Sequence, residues 1–270
     1  MANLVESKID TPAGKISVMR GGTGAPLVYL HSAAGEAVHA ALEDLANDHD
    51  VIVPLFPGFG ESEGIEGIDG IEDAAFHLLD VLDVLELSAP AVIGLSLGGW
   101  MAAELATRSP ERVGHLVLVS PVGLYIDGAP VGQIFGRSPA ELADDLFADQ
   151  SQPMAQMMHA LSEKMGDLMS MAEVPIAILM PMWASMSATA KIGWNPYLHN
   201  PKLRSRLRRV TAPTLVVAGA QDGLLPRAHP EAYAEGIAGA RLEVLEDAGH
   251  MVPLERPDEF VTLVRNFVDG

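Results

Sequence analysis

The chain has 270 residues, enough for one domain or for one domain with an inserted lid. Its 17 basic and 36 acidic residues give a formal net charge of −19, which argues against a nucleic-acid partner because phosphate binding needs a basic surface. The chain has no cysteine, which excludes disulfides, catalytic thiolates and thiolate metal sites. Neither a secretory signal nor a membrane-spanning segment is predicted, so we expect a cytoplasmic protein with no membrane partner.

Short apolar runs alternate with helical patterns along most of the chain. The first two segments, NLVESKID and GKISVMRG, predict an antiparallel hairpin. Six further runs have strand length: LVYL (27–30), VIVPL (51–55), APAVIGL (89–95), VGHLVLVS (113–120), TLVVAG (214–219) and RLEVLE (241–246). They lack strict alternation, which is typical of strands buried on both faces. With helices predicted at 71–87, 97–108 and 258–268, the pattern indicates an α/β fold with a mostly parallel sheet.

One region interrupts this alternation. Between residues 122 and 197 no strand is predicted, and the segments ELADDLFA and AQMMHALSEKMGDLM have helical character. The region holds nine of the thirteen methionines: Met154, Met157, Met158, Met165, Met169, Met171, Met180, Met182 and Met186. We therefore expect a helical insertion at 122–197 that divides a core made of 1–121 and 198–270.

The clearest chemical motif is GLSLG, residues 94–98, which follows a predicted strand and precedes a predicted helix. This is the G-x-S-x-G pattern in the context that it requires. A sharp turn lifts the hydroxyl of Ser96 out of the sheet, and small neighbours permit the close approach of strand and helix. The start of the helix supplies N–H groups and a favourable dipole for a developing anion. The motif predicts that Ser96 is a nucleophile.

A serine nucleophile needs a base, and the base needs a carboxylate that orients it. Five of the nine histidines lie on predicted helices or loops far from the strand ends, and we expect them at the surface: His39, His49, His77, His159 and His199. His250 instead follows the run RLEVLE, at the sheet edge where Ser96 also lies. Asp222 follows TLVVAG at the same edge, and the order Ser96, Asp222, His250 is the one expected for this motif. Asp247 and Asp127 are rival carboxylates.

At these motifs the chain resembles α/β-hydrolase fold enzymes of the cap-bearing, single-domain type. The resemblance is carried, in family order, by LHSAAGE, VPLFPGFGES, GLSLGGWMA, VLVSPVG, APTLVVAGAQDGLLP and LEDAGHMVPLERP. It implies a mostly parallel eight-stranded sheet flanked by helices, with residues 122–197 as a helical cap over the active site. The family usually has His-Gly where this chain has His31-Ser32. We therefore expect unusual geometry in that loop.

The predicted mechanism uses His250 to accept the proton of Ser96 and Asp222 to hold the imidazole. We expect the oxyanion hole to be formed by the backbone N–H groups of Leu97 and Ala33. His31 and Ser32 are adjacent at a strand end, where neighbouring side chains diverge, so they form a poor nucleophile–base pair. We expect both to shape the floor of the pocket. No metal or organic cofactor is required.

The methionine-rich insertion bears on the substrate, because methionine adapts to irregular apolar pockets. Together with Trp183, Trp194, Phe135 and Phe147 it indicates a small-molecule apolar substrate, although these residues could equally serve only to pack the insertion onto the core. A carboxylic-ester hydrolase is the leading hypothesis. A C–C bond hydrolase of a vinylogous diketone is the nearest alternative, and amide hydrolysis, lactone hydrolysis and perhydrolysis also stay open.

A non-catalytic ligand-binding protein on the same fold is an alternative of a different class. Epoxide hydrolases and haloalkane dehalogenases are disfavoured, because both use an aspartate where this chain has Ser96. The oligomeric state is open between a monomer and a homodimer.

Overall fold

A computed structural model describes residues 3–166 and 174–270. Its eight strands form one sheet in the order β1-β2-β4-β3-β5-β6-β7-β8. They are β1 Val5–Thr11, β2 Gly14–Gly21, β3 Ala25–Leu30, β4 His49–Pro54, β5 Ala91–Leu95, β6 His115–Val119, β7 Thr214–Gly219 and β8 Arg241–Leu245. Strands β1 and β2 form the predicted antiparallel hairpin, β2 also runs antiparallel to β4, and all other pairs are parallel. The predicted eight-stranded, mostly parallel sheet is therefore confirmed.

Helices cover the sheet and also occur in the segment between β6 and β7. They are α1 Ala40–Leu45, α2 Ile71–Val84, α3 Leu97–Arg108, α4 Pro139–Leu146, α5 Pro153–Met165, α6 Ile176–Gly193, α7 Leu203–Arg206, α8 Ala228–Gly236, α9 Val252–Glu255 and α10 Pro257–Val268. Helix α4 begins with a capping box between Ser138 and Glu141, which satisfies backbone N–H groups that the first turn leaves free. The end of AQMMHALSEKMGDLM, residues 167–169, lies outside the described residues.

The central strands are buried on both faces, which explains their continuous apolar sequences. Along β6, Leu116 and Leu118 belong to one hydrophobic cluster, while Val117 and Val119 belong to a second one. Alternate side chains of a strand point to opposite faces, so the two clusters are the cores on either side of the sheet. All four residues are fully buried. A charge on either face of such a strand would have no water to solvate it.

The topology brings two loops together at one edge of the sheet. The chain leaves β3, forms β4 on one side of it, and returns to form β5 on the other side. Ligands of open α/β sheets bind at the carboxyl ends of the strands where the strand order reverses in this way. The loop after β3 and the turn after β5 meet at this point. They contain His31-Ser32 and Ser96 respectively.

In the segment between β6 and β7, residues 120–138 are irregular and the helices begin at Pro139. Helices α4, α5 and α6 lie there, and outside named strands the segment contributes an isolated bridge between Gly123 and His199. The boundaries 122–197 stay a prediction of the sequence. Within the described ranges, none of the helices combines the length and the hydropathy that crossing a membrane requires.

Candidate active site

Ser96 lies on a sharp turn between β5 and α3, with φ of 56° and ψ of −109°. A side chain on Gly94 would overlap the carbonyl oxygen of Gly98, and one on Gly98 would overlap the carbonyl oxygen of Leu30. Only glycine fits at these two positions, because any Cβ would collide with backbone. The crowding of strand and helix holds Ser96 in a left-handed conformation that costs about 1–3 kcal/mol when the residue is not glycine.

His250 and Asp222 form a buried pair. The His250 Nδ1 lies 2.8 Å from the Asp222 Oδ2, and the two side chains are 1% and 5% exposed. The other carboxylate oxygen accepts hydrogen bonds from the amides of Leu224 and Leu225, at 3.0 and 2.8 Å. A carboxylate oxygen can only accept, so Nδ1 is the donor in this bond, and the tautomer that this bond selects has its lone pair on Nε2. In the described part of the chain, Nε2 is buried and has no hydrogen-bond partner.

The two rival carboxylates lie elsewhere. The side chain of Asp247 is 76% exposed and its nearest ion-pair partner is Arg256, at 3.7 Å. Asp127 is exposed in the loop after β6. Asp222 is therefore the carboxylate that the structure brings to His250.

The loops that carry this pair are held by the end of α4, residues 145–149, which we term the α4 exit. The carbonyl oxygen of Leu146 accepts a hydrogen bond from the amide of His250, at 2.8 Å. The carbonyl oxygen of Asp145 accepts one from the amide of Gly223, at 3.0 Å. The helical segment after β6 thus fixes the loops that carry Asp222 and His250.

Glu255 adds a second connection between the α4 exit and the His250 loop. One carboxylate oxygen accepts hydrogen bonds from the amides of Ala148 and Asp149, at 2.7 and 3.1 Å. The other oxygen accepts a hydrogen bond from the amide of Gly249, at 2.7 Å. The residue is 8% exposed. Sequence analysis does not identify this role, because it depends on bonds to residues about a hundred positions away in the chain.

The loop after β3, residues 31–36, which we term the β3 loop, places its side chains in two directions. Ser32 and Ala33 line the large cavity described below. His31 differs from the expectation and lies behind the loop, beside a void of about 10 Å³. Its Nδ1 donates to the Ser32 carbonyl oxygen, at 2.7 Å, and its Nε2 accepts the Phe56 amide, at 3.0 Å. Burial lowers the pKa of His31, so the ring is neutral. Its two hydrogen bonds connect the β3 loop to the loop after β4, which contains Phe56.

The Ser32 side chain is engaged within the β3 loop. Its hydroxyl donates to the Glu36 Oε2, at 2.6 Å, and the hydroxyl of Tyr29 donates to the Glu36 Oε1, at 3.1 Å. Glu36 is 8% exposed and was not singled out in the sequence. The only signal was an acidic residue at the end of an otherwise small and apolar loop, LHSAAGE.

A cavity of about 630 Å³ lies against Ser96, Leu97 and His250. Most of its described lining is apolar, and α5 and α6 together contribute about a third of the lining residues. Seven methionines line it: Met154, Met157, Met158, Met165, Met182 and Met186 from these two helices, and Met251. Trp183 also lines it and is 52% exposed. Of the other methionines in the expected insertion, Met180 is half-exposed outside this lining, while Met169 and Met171 lie outside the described residues.

The aromatic residues that accompany these methionines divide between pocket and packing. Phe135 lines the cavity and packs against the ring of Trp194, with centroids 5.1 Å apart. Trp194 is 62% exposed. Phe147 is buried in one of the two cores and does not belong to the described lining.

Charge in the cavity is nearly balanced. Among the described lining residues, Arg137 carries the only permanent positive charge. Its guanidinium lies 3.0 Å from the Asp145 carboxylate and 3.6 Å from that of Glu141. The cation is therefore already paired, which disfavours a dianionic ligand and favours an apolar one.

Comparison with known proteins agrees with this architecture. A family model of the alpha/beta hydrolase fold matches residues 25–257. The chain is 29% identical to the 2-hydroxymuconate semialdehyde hydrolase of a Pseudomonas species, over 92% of this chain and 88% of that one. It is 28% identical to the pimeloyl-[acyl-carrier protein] methyl ester esterase of Aeromonas hydrophila, over 94% of this chain and 99% of that one.

A longer relative and a solved structure extend the comparison. The chain is 29% identical, over 93% of its length, to the dihydrolipoyllysine-residue acetyltransferase component of the acetoin cleaving system of Cupriavidus necator. It spans 65% of that relative and smaller shares, 12% and 44%, of two other curated relatives. The crystal structure of a meta-cleavage product hydrolase has a TM-score of 0.78, with 24% identity and 97% of each chain covered. At this identity the likeness supports the fold alone.

Proposed function

The chain belongs to the alpha/beta hydrolase fold family, and from that premise we propose that it is a serine hydrolase that cleaves small apolar carboxylic esters. The observation that carries the proposal is the His250–Asp222 pair, joined at 2.8 Å beside a cavity that also contains Ser96. A nucleophile, a base and an orienting carboxylate on three strand-end loops are the minimum for acyl transfer.

In the proposed reaction the hydroxyl oxygen of Ser96 attacks the ester carbonyl while the Nε2 of His250 takes its proton. Asp222 holds the tautomer that leaves Nε2 free and stabilises the imidazolium that forms. The imidazolium then protonates the leaving alcohol, and the acyl group stays on Ser96. Water, deprotonated by His250, attacks the acyl-enzyme and releases the acid.

The tetrahedral intermediate places a negative charge on the former carbonyl oxygen. We assign its two donors to the backbone N–H groups of Leu97, at the start of α3, and Ala33, in the β3 loop. Both residues line the cavity beside Ser96. Loss of one such donor lowers kcat by about 10²–10³-fold in comparable sites.

The apolar substrate follows from the lining contributed by α5 and α6, which we propose act as a cap over Ser96. Methionine side chains adapt to the shape of an acyl chain and cannot satisfy a polar one. The paired state of Arg137 supports a neutral substrate, because a carboxylate would have to compete with Asp145. The esterase from Aeromonas hydrophila supports ester chemistry on this fold at 28% identity.

Hydrolysis of p-nitrophenyl butyrate tests the proposal. Wild-type protein should release nitrophenol, and Ser96→Ala should reduce the rate to background. Ser120→Ala is the matched control, because Ser120 is fully buried at the end of the adjoining strand β6 and its hydroxyl has no partner among the described residues. It should keep wild-type activity. Equal rates in wild type and Ser96→Ala would overturn the esterase proposal.

A second candidate function is C–C bond hydrolysis of a vinylogous diketone. The observation that favours it is the similarity to the 2-hydroxymuconate semialdehyde hydrolase. Cleavage of a vinylogous diketone can be followed by the loss of the visible absorbance of the substrate. If wild-type protein consumes it faster than any ester of a chain-length panel, and Ser96→Ala does not, the C–C assignment replaces the ester assignment.

A fluorophosphonate probe separates both enzyme proposals from a ligand-binding protein on the same fold. Labelling of wild type but not of Ser96→Ala supports an activated serine. If wild type is unlabelled and both substrates stay intact, the protein is a binder.

A further inference from the structure

We propose that Glu36 is a positioning residue for the oxyanion hole: its carboxylate fixes the β3 loop so that, among the amides of residues 32–35, that of Ala33 is left to meet the reacting oxygen beside the Leu97 N–H. The inference rests on the proposed ester hydrolysis at Ser96. Glu36 does not touch the substrate, and it acts through the backbone of the loop.

The first step of the argument is an account of the amides in the β3 loop. The Ser32 amide donates to the Glu36 Oε1, at 2.7 Å. The Ala34 amide donates to the Ser32 hydroxyl oxygen, at 3.0 Å, and the Gly35 amide donates to the Ser32 carbonyl oxygen, at 3.1 Å. In the described part of the chain, the Ala33 amide has no protein acceptor. Three of the four consecutive donors are therefore occupied, and the remaining one belongs to a residue that lines the cavity.

The second step concerns the anchor itself. Glu36 receives the Ser32 amide and the Tyr29 hydroxyl on one oxygen and the Ser32 hydroxyl on the other. Burial, reinforced by the neighbouring charge of Glu36, raises the pKa of Tyr29 well above its ordinary value, so the phenol stays a donor. A buried carboxylate that accepts two hydrogen bonds from Ser32 and one from Tyr29 of β3 holds the start of the loop against the strand.

The third step explains the departure from the family pattern at Ser32. Glycine at this position would keep the amide bond to Glu36 and lose the hydroxyl, which links the carboxylate to the Ala34 amide. Ser32 is thus the connector between the buried anion and the residue that follows the proposed oxyanion donor. The Ser32 hydroxyl thus extends the hold of Glu36 on the loop by one residue, from the Ser32 amide to the Ala34 amide.

The expected loss of kcat when Glu36 is removed follows from the contribution of an oxyanion donor to kcat. A donor is worth about 10²–10³-fold in kcat when it is fully removed. In Glu36→Ala the Ala33 amide remains but its direction is no longer fixed, so we expect kcat to fall by about 10–100-fold with KM within about threefold. Glu36→Gln keeps an oxygen for the Ser32 amide and should recover most of the loss.

The experiment compares p-nitrophenyl butyrate with its thionoester, in which sulfur replaces the carbonyl oxygen. Sulfur is larger and accepts hydrogen bonds weakly, so the ratio of the two kcat values measures what the oxyanion hole contributes. In Glu36→Ala the ester should slow more than the thionoester, and the ratio should fall by about tenfold. Ser32→Ala removes only one hydroxyl and should also lower the ester-to-thionoester ratio. It provides the test if Glu36→Ala does not fold.

The matched control is Glu104→Ala. Glu104 is also a buried carboxylate, and it accepts the side-chain amide of Asn200, at 2.6 Å, away from the β3 loop. Its loss should lower stability and leave the ester-to-thionoester ratio unchanged. A wild-type ratio preserved in Glu36→Ala and Ser32→Ala overturns the positioning role. Failure of the underlying ester hydrolysis would instead leave wild-type protein inactive on the ester itself.

Discussion

Acidification should destabilise the fold through His77, which the sequence placed at the surface and the structure buries. His77 lies on α2 at 3% exposure, and among the described residues neither ring nitrogen has a hydrogen-bond partner. The ring of Phe56 approaches it edge-on, with centroids 5.7 Å apart. Burial lowers the pKa of His77 from 6.5 to about 4, because the charged ring would lose its hydration.

The sign and size of the change in stability follow from the difference between the pKa of His77 in the unfolded and in the folded chain. The unfolded chain binds a proton near pH 6.5 and the folded chain only near pH 4, so stability is fully present above 6.5 and is lost as the pH falls toward 4. At pH 5 the loss from His77 is about 2 kcal/mol relative to pH 7. The limit reached below pH 4 is about 3 kcal/mol.

Urea unfolding at pH 7 and pH 5 provides the assay. In His77→Leu the free energy of unfolding should fall between the two pH values by about 2 kcal/mol less than in wild type. Leu78→Val is the control, because Leu78 is the next residue of α2 and is also buried. It should lower stability equally at both pH values. If the wild-type and His77→Leu differences agree, His77 is hydrated or partnered when folded and the reasoning is refuted.

The remaining predictions concern the site and its supports. Asp222→Asn should lower kcat for p-nitrophenyl butyrate by about 10⁴-fold with little change in stability, because the amide favours the wrong tautomer of His250. A loss of kcat below about tenfold would exclude Asp222 as the orienting carboxylate. Glu255→Ala leaves three backbone donors without an acceptor and should cost at least about 2 kcal/mol in urea unfolding, a loss that a stable variant would contradict. Met182→Trp narrows the cavity and should move the preferred ester in a chain-length panel toward shorter acyl groups. Met180→Trp is the control, because Met180 lies outside the described lining, and it should leave the preference unchanged.

The strands and the serine turn could be predicted because their causes are local. A run such as TLVVAG, residues 214–219, is apolar throughout because both faces of its strand are buried, and β7 has the predicted bounds. Gly94 is required by a contact within one strand–turn–helix unit, with the carbonyl oxygen of Gly98, whereas Gly98 is required by Leu30 of the neighbouring strand β3. Where the cause is a short stretch of chain, the pattern alone carries the information.

The supports of the site could not be predicted because their partners are distant or ambiguous. Glu255 binds amides 106 and 107 positions away, and no spacing rule connects them. His31 was expected in the pocket, but its ring turns behind the loop to accept the amide of Phe56. Helix α1, with six residues, is too short for a periodic pattern.

The attachment of the α4 exit to both acid–base loops divides the helical segment by its tolerance of change. The carbonyl oxygens of Asp145 and Leu146 hold the loops of Asp222 and His250, so this part of the segment is scaffold for the acid–base pair itself. Helices α5 and α6 provide six of the seven methionines that line the cavity and carry none of those bonds. New specificities should therefore arise by exchange of α5 and α6 alone, whereas a graft that includes the α4 exit would have to rebuild the acid–base pair as well.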